Sequence, residues 1–260
     1  MRIVPIQTSL EQTVPSGLLW FQRFGNAFID LLFPSRCVAC HRLGDWLCAS
    51  CADQIEVIRP PLCHRCGMPL SGPIPPATQD GLTVCAGCKS STRSLDGLVA
   101  YAFHSDPLRQ AIHQFKYADL RSLAAPLGKL MAQGWSELTP PGCEIDAVVP
   151  VPLHVKRLRE RGYNQAALLA RELASHLGRP VVEDVLVRTR ATAPQVDLNA
   201  KERQSNVKDA FRCLKDSLET RRVMLVDDVC TTGSTLEAAA EALRESGVSF
   251  VWAYTLARAR

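Results

Sequence analysis

The sequence predicts an α/β protein with a doubly wound, mostly parallel sheet, preceded by a small cysteine-rich module. Three observations support this fold class. From residue 95 onwards, apolar runs of strand length alternate with amphipathic helical patterns, an order that is typical of parallel sheets covered by helices. Residues 34–94 are instead rich in cysteine, proline and glycine. With 260 residues, the chain is long enough to bury a sizeable hydrophobic core.

The start of the chain predicts an amphipathic helix within residues 1–33. Its apolar stretch is interrupted by four polar side chains that share one helical face, namely Gln22, Arg23, Asn26 and Asp30. We therefore expect this helix to dock on the protein and not to span a membrane. The first residues also lack the continuous apolar core of a signal peptide. These features predict a cytoplasmic protein whose cysteines stay reduced.

Eight cysteines form four C-x-x-C pairs and predict two zinc sites. The pairs are Cys37/Cys40, Cys48/Cys51, Cys63/Cys66 and Cys85/Cys88. Two thiolates three positions apart can bind one tetrahedral zinc, and two such pairs complete a four-cysteine site. The 18 residues between the last two pairs are typical of zinc ribbons. We expect sequential pairing, although the spacing leaves a crossed pairing open.

Residues 34–94 are therefore predicted to form a double zinc ribbon. Four C-x-x-C pairs so close together argue against a thioredoxin-like redox motif. The region has little apolar periodicity and is too small to fold on a hydrophobic core of its own. Metal binding would supply part of its folding free energy, so both zinc ions are predicted to be structural.

Residues 95–260 are predicted to form one domain of alternating strands and helices. Strands are expected at 97–104, 145–151, 181–188, 223–226 and 248–258. Helices are expected from Asp106 to Phe115, at 120–135, from Asn164 to Leu177 and at 234–246. Asp106 is the expected N-cap of the first helix, and Gly178 is expected to close the third. In such a fold the ligand lies at the carboxyl ends of the strands.

Residues 223–236 contain the most informative motif of the chain. Two acids, Asp227 and Asp228, follow a short apolar strand, and a loop of small residues leads into a helix. The loop consists of Thr231, Thr232, Gly233, Ser234 and Thr235. Free N–H groups and the dipole at a helix N-terminus bind phosphate, while carboxylates suit sugar hydroxyls and, less directly, a magnesium ion. The motif therefore predicts a site for a phosphorylated sugar.

Two basic segments are expected to flank this site. Residues 150–212 contain twelve Lys or Arg against seven Asp or Glu, which favours an anionic ligand such as phosphates or a nucleic-acid backbone. Within this stretch, Pro150 and Pro152 end a strand just before a basic cluster. Residues 186–211 form a long polar segment that could close over a bound anion. Each segment taken alone could equally be a solvated surface loop.

The acidic pair and its loop resemble the phosphoribosyl-pyrophosphate (PRPP) binding motif of type I phosphoribosyltransferases. The zinc pairs, VPVPL with RGYNQ, the R-T-R segment and LVDDVCTTGST follow each other in an order that resembles the ComF family, over roughly residues 30–258. The resemblance implies a type I phosphoribosyltransferase fold and PRPP bound with Mg²⁺ by Asp227, Asp228, Thr231, Thr232, Gly233, Ser234 and Thr235. It implies a loop near pyrophosphate formed by Pro150, Val151, Pro152 and Leu153. It also implies a mobile loop that contains Arg190, Gln195 and Arg203.

The resemblance further implies a role in natural transformation, with single-stranded DNA and DNA-uptake proteins as partners. Three functions stay open. The protein could bind PRPP and serve DNA uptake, act as a phosphoribosyltransferase on a base or amine, or dock a partner through its zinc ribbon while PRPP regulates it. The sequence contains no evident base-recognition segment. Tyr163 is the one aromatic residue between residues 150 and 210, so base stacking there has little support.

Overall fold

The computed structural model describes residues 34–78, 81–90, 93–190, 209–214, 218 and 221–260. The predicted N-terminal helix lies outside these residues, as do Gln195 and Arg203 of the polar segment. Within the described ranges, no helix combines the length and the apolar character needed to cross a membrane.

The cysteine-rich region contains two single-turn helices, α1 (Ala49–Ala52) and α2 (Ala86–Lys89). Each begins directly after a cysteine of a C-x-x-C pair, which occupies the N-cap position. The region lies against the first strand of the following domain. The N–H of Ile58 donates to the carbonyl oxygen of Tyr101 at 2.9 Å, and the N–H of Leu98 donates to that of His64 at 2.7 Å.

A four-stranded parallel sheet forms the centre of the second domain. Its strands are, in spatial order, β1 (Gly97–Phe103), β6 (Phe250–Arg258), β5 (Arg222–Cys230) and β2 (Ala147–Pro150). Every neighbouring pair runs parallel, as the sequence predicts. Side chains of β5 alternate between two hydrophobic clusters, with Met224 in one and Leu225 in the other, because successive residues of a strand point to opposite faces.

Helices cover both faces of this sheet, which is therefore doubly wound. One cluster is built from α3 (Leu108–Tyr117), α4 (Ala124–Leu138) and α6 (Gln165–Leu177), and the other from α7 (Ser234–Glu245). A short helix without buried residues, α5 (Val155–Arg161), follows β2. The expected caps of α6 are confirmed: the side chain of Asn164 accepts from the N–H of Ala166, and Gly178 is left-handed.

An antiparallel pair, β3 (Leu186–Arg188) and β4 (Phe211–Cys213), lies apart from the main sheet and packs near α7. The predicted strand at 181–188 is longer than the observed one, because Val181 makes only a single bridge to Val148. The interpretation of 186–211 as one polar loop did not include β4. Three residues are too few to show a strand pattern.

Two boundaries near the candidate site differ from the prediction. β5 does not end at Val226 but continues to Cys230, because its pairing with β6 persists. Asp227 and Asp228 are therefore strand residues. The predicted start of a helix at residue 234 is confirmed, so Ser234 and Thr235 of the predicted phosphate loop form the first turn of α7. Finally, Pro107 is the N-cap of α3, since the carboxylate of Asp106 instead accepts hydrogen bonds from Arg109 at 3.0 and 2.9 Å.

Candidate functional site

The eight C-x-x-C cysteines come together as two groups of four thiols. One group is Cys37, Cys40, Cys48 and Cys51, and the other is Cys63, Cys66, Cys85 and Cys88. Within each group, all four sulfur atoms lie within 4.8 Å of one another. The grouping is sequential, as the spacing predicts.

The arrangement of the thiols fits zinc. Tetrahedral coordination with Zn–S bonds of about 2.3 Å separates two sulfur atoms by about 3.8 Å, and the Sγ atoms of Cys40 and Cys48 are 3.6 Å apart. In the second group, the N–H of Cys85 donates to the Sγ of Cys63 at 3.3 Å. Such outer donors orient metal ligands and tune their charge. The two four-cysteine groups therefore fit two structural zinc ions.

The acidic pair lies at the carboxyl edge of the parallel sheet, near the end of β5. Asp228 is 7% exposed, and its Oδ1 is 2.8 Å from the Nζ of Lys116, which is in the last turn of α3. The N–H of Asp228 donates to the Oδ1 of Asp227 at 2.8 Å. Burial and the adjacent carboxylate of Asp228 raise the pKa of Asp227 to about 7. The two acids thus differ, because Asp228 has a cation in direct contact.

The loop after β5 places a helix N-terminus beside the acids. Gly233 is the N-cap of α7 and has a φ of +84°, a left-handed conformation that favours glycine. The hydroxyl oxygens of Thr232 and Ser234 are 2.8 Å apart. Hydroxyl groups and the free N–H groups of a first helical turn together suit an anion.

A cavity of about 740 Å³ connects the acidic pair with this loop and with the segment after β2. It is lined by Lys116, Tyr117, Val151, Pro152, Leu153, His154, Lys156, Arg157, Glu160, Arg161, Arg188, Asp227, Asp228, Val229, Thr231 and Thr235. Pro150 lines an adjoining cavity of about 530 Å³. The structure thus brings together the acidic pair, both ends of the predicted phosphate loop and the predicted pyrophosphate segment.

Side-chain contacts hold the segment after β2 in place. The side-chain amide of Asn164 donates to the carbonyl oxygen of Val151 at 3.0 Å while its oxygen caps α6. His154 is the N-cap of α5, and its Nδ1 accepts from the N–H of Lys156 at 3.2 Å. The helix α5, which carries basic side chains, therefore begins at a fixed turn at the rim of the cavity.

Arg188 is the described residue of the polar segment 186–211 that lines the larger cavity. It ends β3 and lines both cavities, and its guanidinium carbon is 5.3 Å from the ring centre of Phe211 in β4. Burial lowers the pKa of Arg188, and the nearby charge of Asp227 opposes this shift. Arg190 is two residues further and does not line the larger cavity, so its role stays a prediction.

Sequence reasoning missed Lys116 and Tyr117 as residues of the site. Both stand at the end of a helix that is distant in sequence from the acidic pair. The position of α3 directly after β1 gives no signal for them, because a helix that follows a strand of a parallel sheet starts from the carboxyl edge, whereas both residues lie at its end. Which of its side chains would contact Asp228 depends on tertiary packing.

The chain matches two domain families, the double zinc ribbon domain over residues 28–89 and the phosphoribosyl transferase domain over residues 163–260. It is 34% identical over 239 residues to competence protein F of Haemophilus influenzae, and the match covers 87% of this chain and 98% of that protein. The chain belongs to the ComF family.

Other relatives agree with this assignment to the ComF family. The DNA utilization protein YhgH of Escherichia coli is 34% identical over 238 residues, which cover 88% of this chain and 99% of the relative. Competence protein ComFC of Bacillus subtilis is 29% identical over 227 residues, covering 82% and 84%.

Solved structures of two other proteins are similar to part of this ComF protein more distantly. Glutamine PRPP amidotransferase of B. subtilis is 24% identical with a TM-score of 0.36, covering 52% of this chain and 26% of the enzyme. Orotate phosphoribosyltransferase of Aeropyrum pernix is 21% identical with a TM-score of 0.33, covering 55% and 63%.

Proposed function

We propose that this ComF-family protein binds PRPP together with Mg²⁺ in the cavity of about 740 Å³. The observation that carries the proposal is the shared cavity itself, which is lined by two carboxylates, by residues of a helix N-terminus and by several basic side chains. These are the groups that a phosphorylated sugar with a pyrophosphate requires, and the volume is within the usual range for small-molecule sites.

Each part of the ligand has a candidate partner. The carboxylates of Asp227 and Asp228 would accept hydrogen bonds from the ribose hydroxyls, and the turn of residues 231–235 would hold the 5′-phosphate. The pyrophosphate would lie near residues 150–153, within reach of Arg157 and Arg188, because guanidinium groups bind phosphate oxygens in pairs. The Mg²⁺ would neutralise part of the pyrophosphate charge, since hard cations prefer oxygen ligands.

The contact of Lys116 with Asp228 supports this division of roles. The Nζ of Lys116 lies 2.8 Å from the Oδ1 of Asp228, and an ionised carboxylate is a pure hydrogen-bond acceptor. Asp227 must lose its proton before both carboxylates of the pair can accept hydrogen bonds from the ribose hydroxyls. Binding of the ligand is therefore expected to release a proton near neutral pH.

Calorimetric titration with PRPP, with and without Mg²⁺, tests the proposal. We expect saturable binding of one PRPP per chain that weakens when Mg²⁺ is chelated. Ribose 5-phosphate and pyrophosphate should each compete, because they occupy different halves of the site. Absence of binding in Mg²⁺ would contradict the proposal, as would competition by pyrophosphate but not by ribose 5-phosphate.

We propose further that the protein serves the handling of DNA during natural transformation. The names of two relatives, competence protein F and DNA utilization protein YhgH, support this role. Expression of this chain in an H. influenzae strain that lacks competence protein F should restore transformation. A chain that is stably expressed but restores nothing would argue against a shared role.

An active phosphoribosyltransferase is the second candidate. It is favoured by the match of residues 163–260 to the phosphoribosyl transferase domain. Positioning and charge stabilisation would then account for most of the catalysis. Release of pyrophosphate from PRPP in the presence of a base or an amine would show transfer. PRPP binding without release across a panel of such acceptors would favour a binding protein.

A further inference from the structure

An exposed aromatic ring stands at the rim of the cavity. Tyr117 is the last residue of α3 and is 65% exposed. The guanidinium carbon of Arg161 is 5.2 Å from its ring centre, and the ring centre of His113 is 5.0 Å away. A ring this exposed contributes little to the hydrophobic core, but its surface is available to another planar group.

The end of α3 that carries this ring is firmly held. The hydroxyl group of Tyr163 donates to the carbonyl oxygen of Phe115, which is fully buried, and the two rings are 6.0 Å apart. The neighbouring Lys116 contacts Asp228. Tyr117 therefore has a fixed position beside the acidic pair, as a binding platform requires.

The surface around Tyr117 is strongly basic. A third cavity, of about 450 Å³, adjoins the ring on the side of α5. Besides Tyr117 and Gly162, it is lined by five basic and two acidic side chains, namely Lys116, Arg121, Arg157, Arg159, Arg161, Asp119 and Glu160. One of the acids, Asp119, is already paired with Arg121 at 2.9 Å. The remaining positive charge favours a polyanion that passes across the ring.

We infer that Tyr117 and Arg161 form a stacking site for an unpaired nucleobase, with Arg157 and Arg159 placed to bind the phosphates on either side. An aromatic ring within a basic groove is the combination that binds single-stranded nucleic acid without sequence preference, because every base has a π-face. Arginine planes stack on bases as well. This inference deepens the proposed function and rests on it for the assignment of the adjacent cradle to a phosphoribosyl group.

Binding of a labelled thymidine oligonucleotide of about 15 nucleotides, a length that such sites cover, tests the inference by fluorescence anisotropy. The control strand has the same length but abasic sugars, so that it keeps the phosphates and lacks the bases. Tyr117→Ala and Tyr117→Leu should weaken binding of the thymidine strand roughly ten-fold and leave the abasic strand almost unchanged. Tyr117→Phe, which keeps the ring, should bind like the wild type.

Two further variants separate stacking from charge and from general loss of an aromatic ring. Arg159→Ala should weaken both strands alike, because a phosphate contact does not depend on the base. Phe250→Leu is the matched ring control, since Arg222 lies over that ring at 4.0 Å at the other end of the sheet. It should leave both strands unaffected. Circular dichroism of each variant confirms that the fold is kept.

A parallel titration with thymidine 5′-monophosphate distinguishes a free nucleotide from a nucleic-acid strand as the source of the base. Tyr117-dependent binding of the mononucleotide would assign the site to free nucleotides, and Tyr117-dependent binding of the strand alone would assign it to nucleic acid. If Tyr117→Ala and Tyr117→Leu bind every probe like the wild type, or weaken the abasic strand equally, the inference is wrong. Wild-type titration with PRPP and Mg²⁺ reports separately on the proposed function, so the two can fail independently.

Discussion

The two four-cysteine groups have the same ligands but differ in what surrounds them. Cys37, Cys48 and Cys51 belong to the main hydrophobic cluster, together with residues of β1 and β6. In the second group, the buried cluster among the described residues consists of Cys63, Cys88 and Val84. The first group is therefore supported by the core of the sheet domain, whereas the second depends more on its metal.

Polar contacts connect the second group with the helix of the phosphate loop. Arg93 donates to the carbonyl oxygen of Arg65 at 3.3 Å and contacts Glu237 of α7 at 3.5 Å. The same carboxylate accepts from the N–H groups of Ser94 and Leu95 at 3.0 and 3.3 Å. Similar four-cysteine groups can therefore serve different neighbours: one extends the core, and the other braces the candidate ligand site.

Loss of one zinc ligand in each group should give the largest effects and the clearest contrast. Cys37→Ser and Cys63→Ser each remove one zinc ligand and should each reduce the zinc content by one ion per chain. The loss of an ion should affect folding strongly, because structural zinc contributes on the order of 10 kcal/mol to folding. Cys37→Ser should lower the melting temperature of the whole chain. Cys63→Ser should open the chain to proteolysis around residues 61–90 while the sheet domain still melts cooperatively. Elemental analysis, calorimetry and limited proteolysis measure these outcomes. Identical behaviour of both variants would contradict the proposed difference between the two four-cysteine groups.

Loss of the Glu237 carboxylate tests the brace directly. Glu237→Ala should lower the free energy of unfolding by about 2 kcal/mol, because two backbone N–H groups and Arg93 lose a charged acceptor. It should also weaken PRPP binding, since Glu237 fixes the start of α7. Urea denaturation and calorimetric titration give both values. Glu241→Ala changes an exposed acid of the same helix and serves as the control; equal effects of the two changes would refute the brace.

The acidic pair should make stability depend on pH between 4 and 7 in the direction opposite to the metal groups, which lose zinc on acidification because their thiolates take up protons. Burial raises the pKa of Asp227 from 3.8 to about 7, so the folded chain keeps a proton that the unfolded chain releases. The contribution of Asp227 to the free energy of unfolding should therefore decrease as pH rises through this range. Asp227→Asn should be more stable than the wild type at pH 8, by about 1–2 kcal/mol, and similar to it near pH 4. Asp45→Asn, an exposed acid in the cysteine-rich region, should leave the profile unchanged; a wild-type profile in Asp227→Asn would contradict the assignment.

Two glycines, one in the phosphate loop and one in the cysteine-rich region, allow the comparison with the smallest expected effect. Gly233 in the phosphate loop and Gly72 in the cysteine-rich region have φ values of +84° and +83°, and an added Cβ would meet no atom closer than 3.6 Å at either position. Alanine should therefore cost about 1 kcal/mol of stability in both. Only Gly233→Ala should also weaken PRPP binding, because it distorts the first turn of α7. Denaturation with a PRPP titration separates these effects, and equal PRPP affinity of both variants would show that the loop does not hold the phosphate.

Much of this architecture could be predicted because local patterns decide it. The C-x-x-C spacing indicates both thiol groups, and the caps at Asn164 and Gly178 mark the ends of α6. The continuation of β5 through Asp227 to Cys230 could not be predicted in the same way, since acids disfavour strands and only the pairing with β6 keeps them extended. Contacts between distant segments, such as Lys116 with Asp228, follow from packing and leave no trace in the local sequence.

The acidic pair is the proposed sugar-binding part of the site. Titration of PRPP and Mg²⁺ into the variant that combines Asp227→Asn with Asp228→Asn tests it most directly, with Asp45→Asn as the control. The wild type and the control should bind PRPP alike. The double variant should bind at least about a hundred-fold more weakly, because each lost charged acceptor costs about 1.5–3 kcal/mol. Equal affinity of the double variant and the wild type would contradict the account.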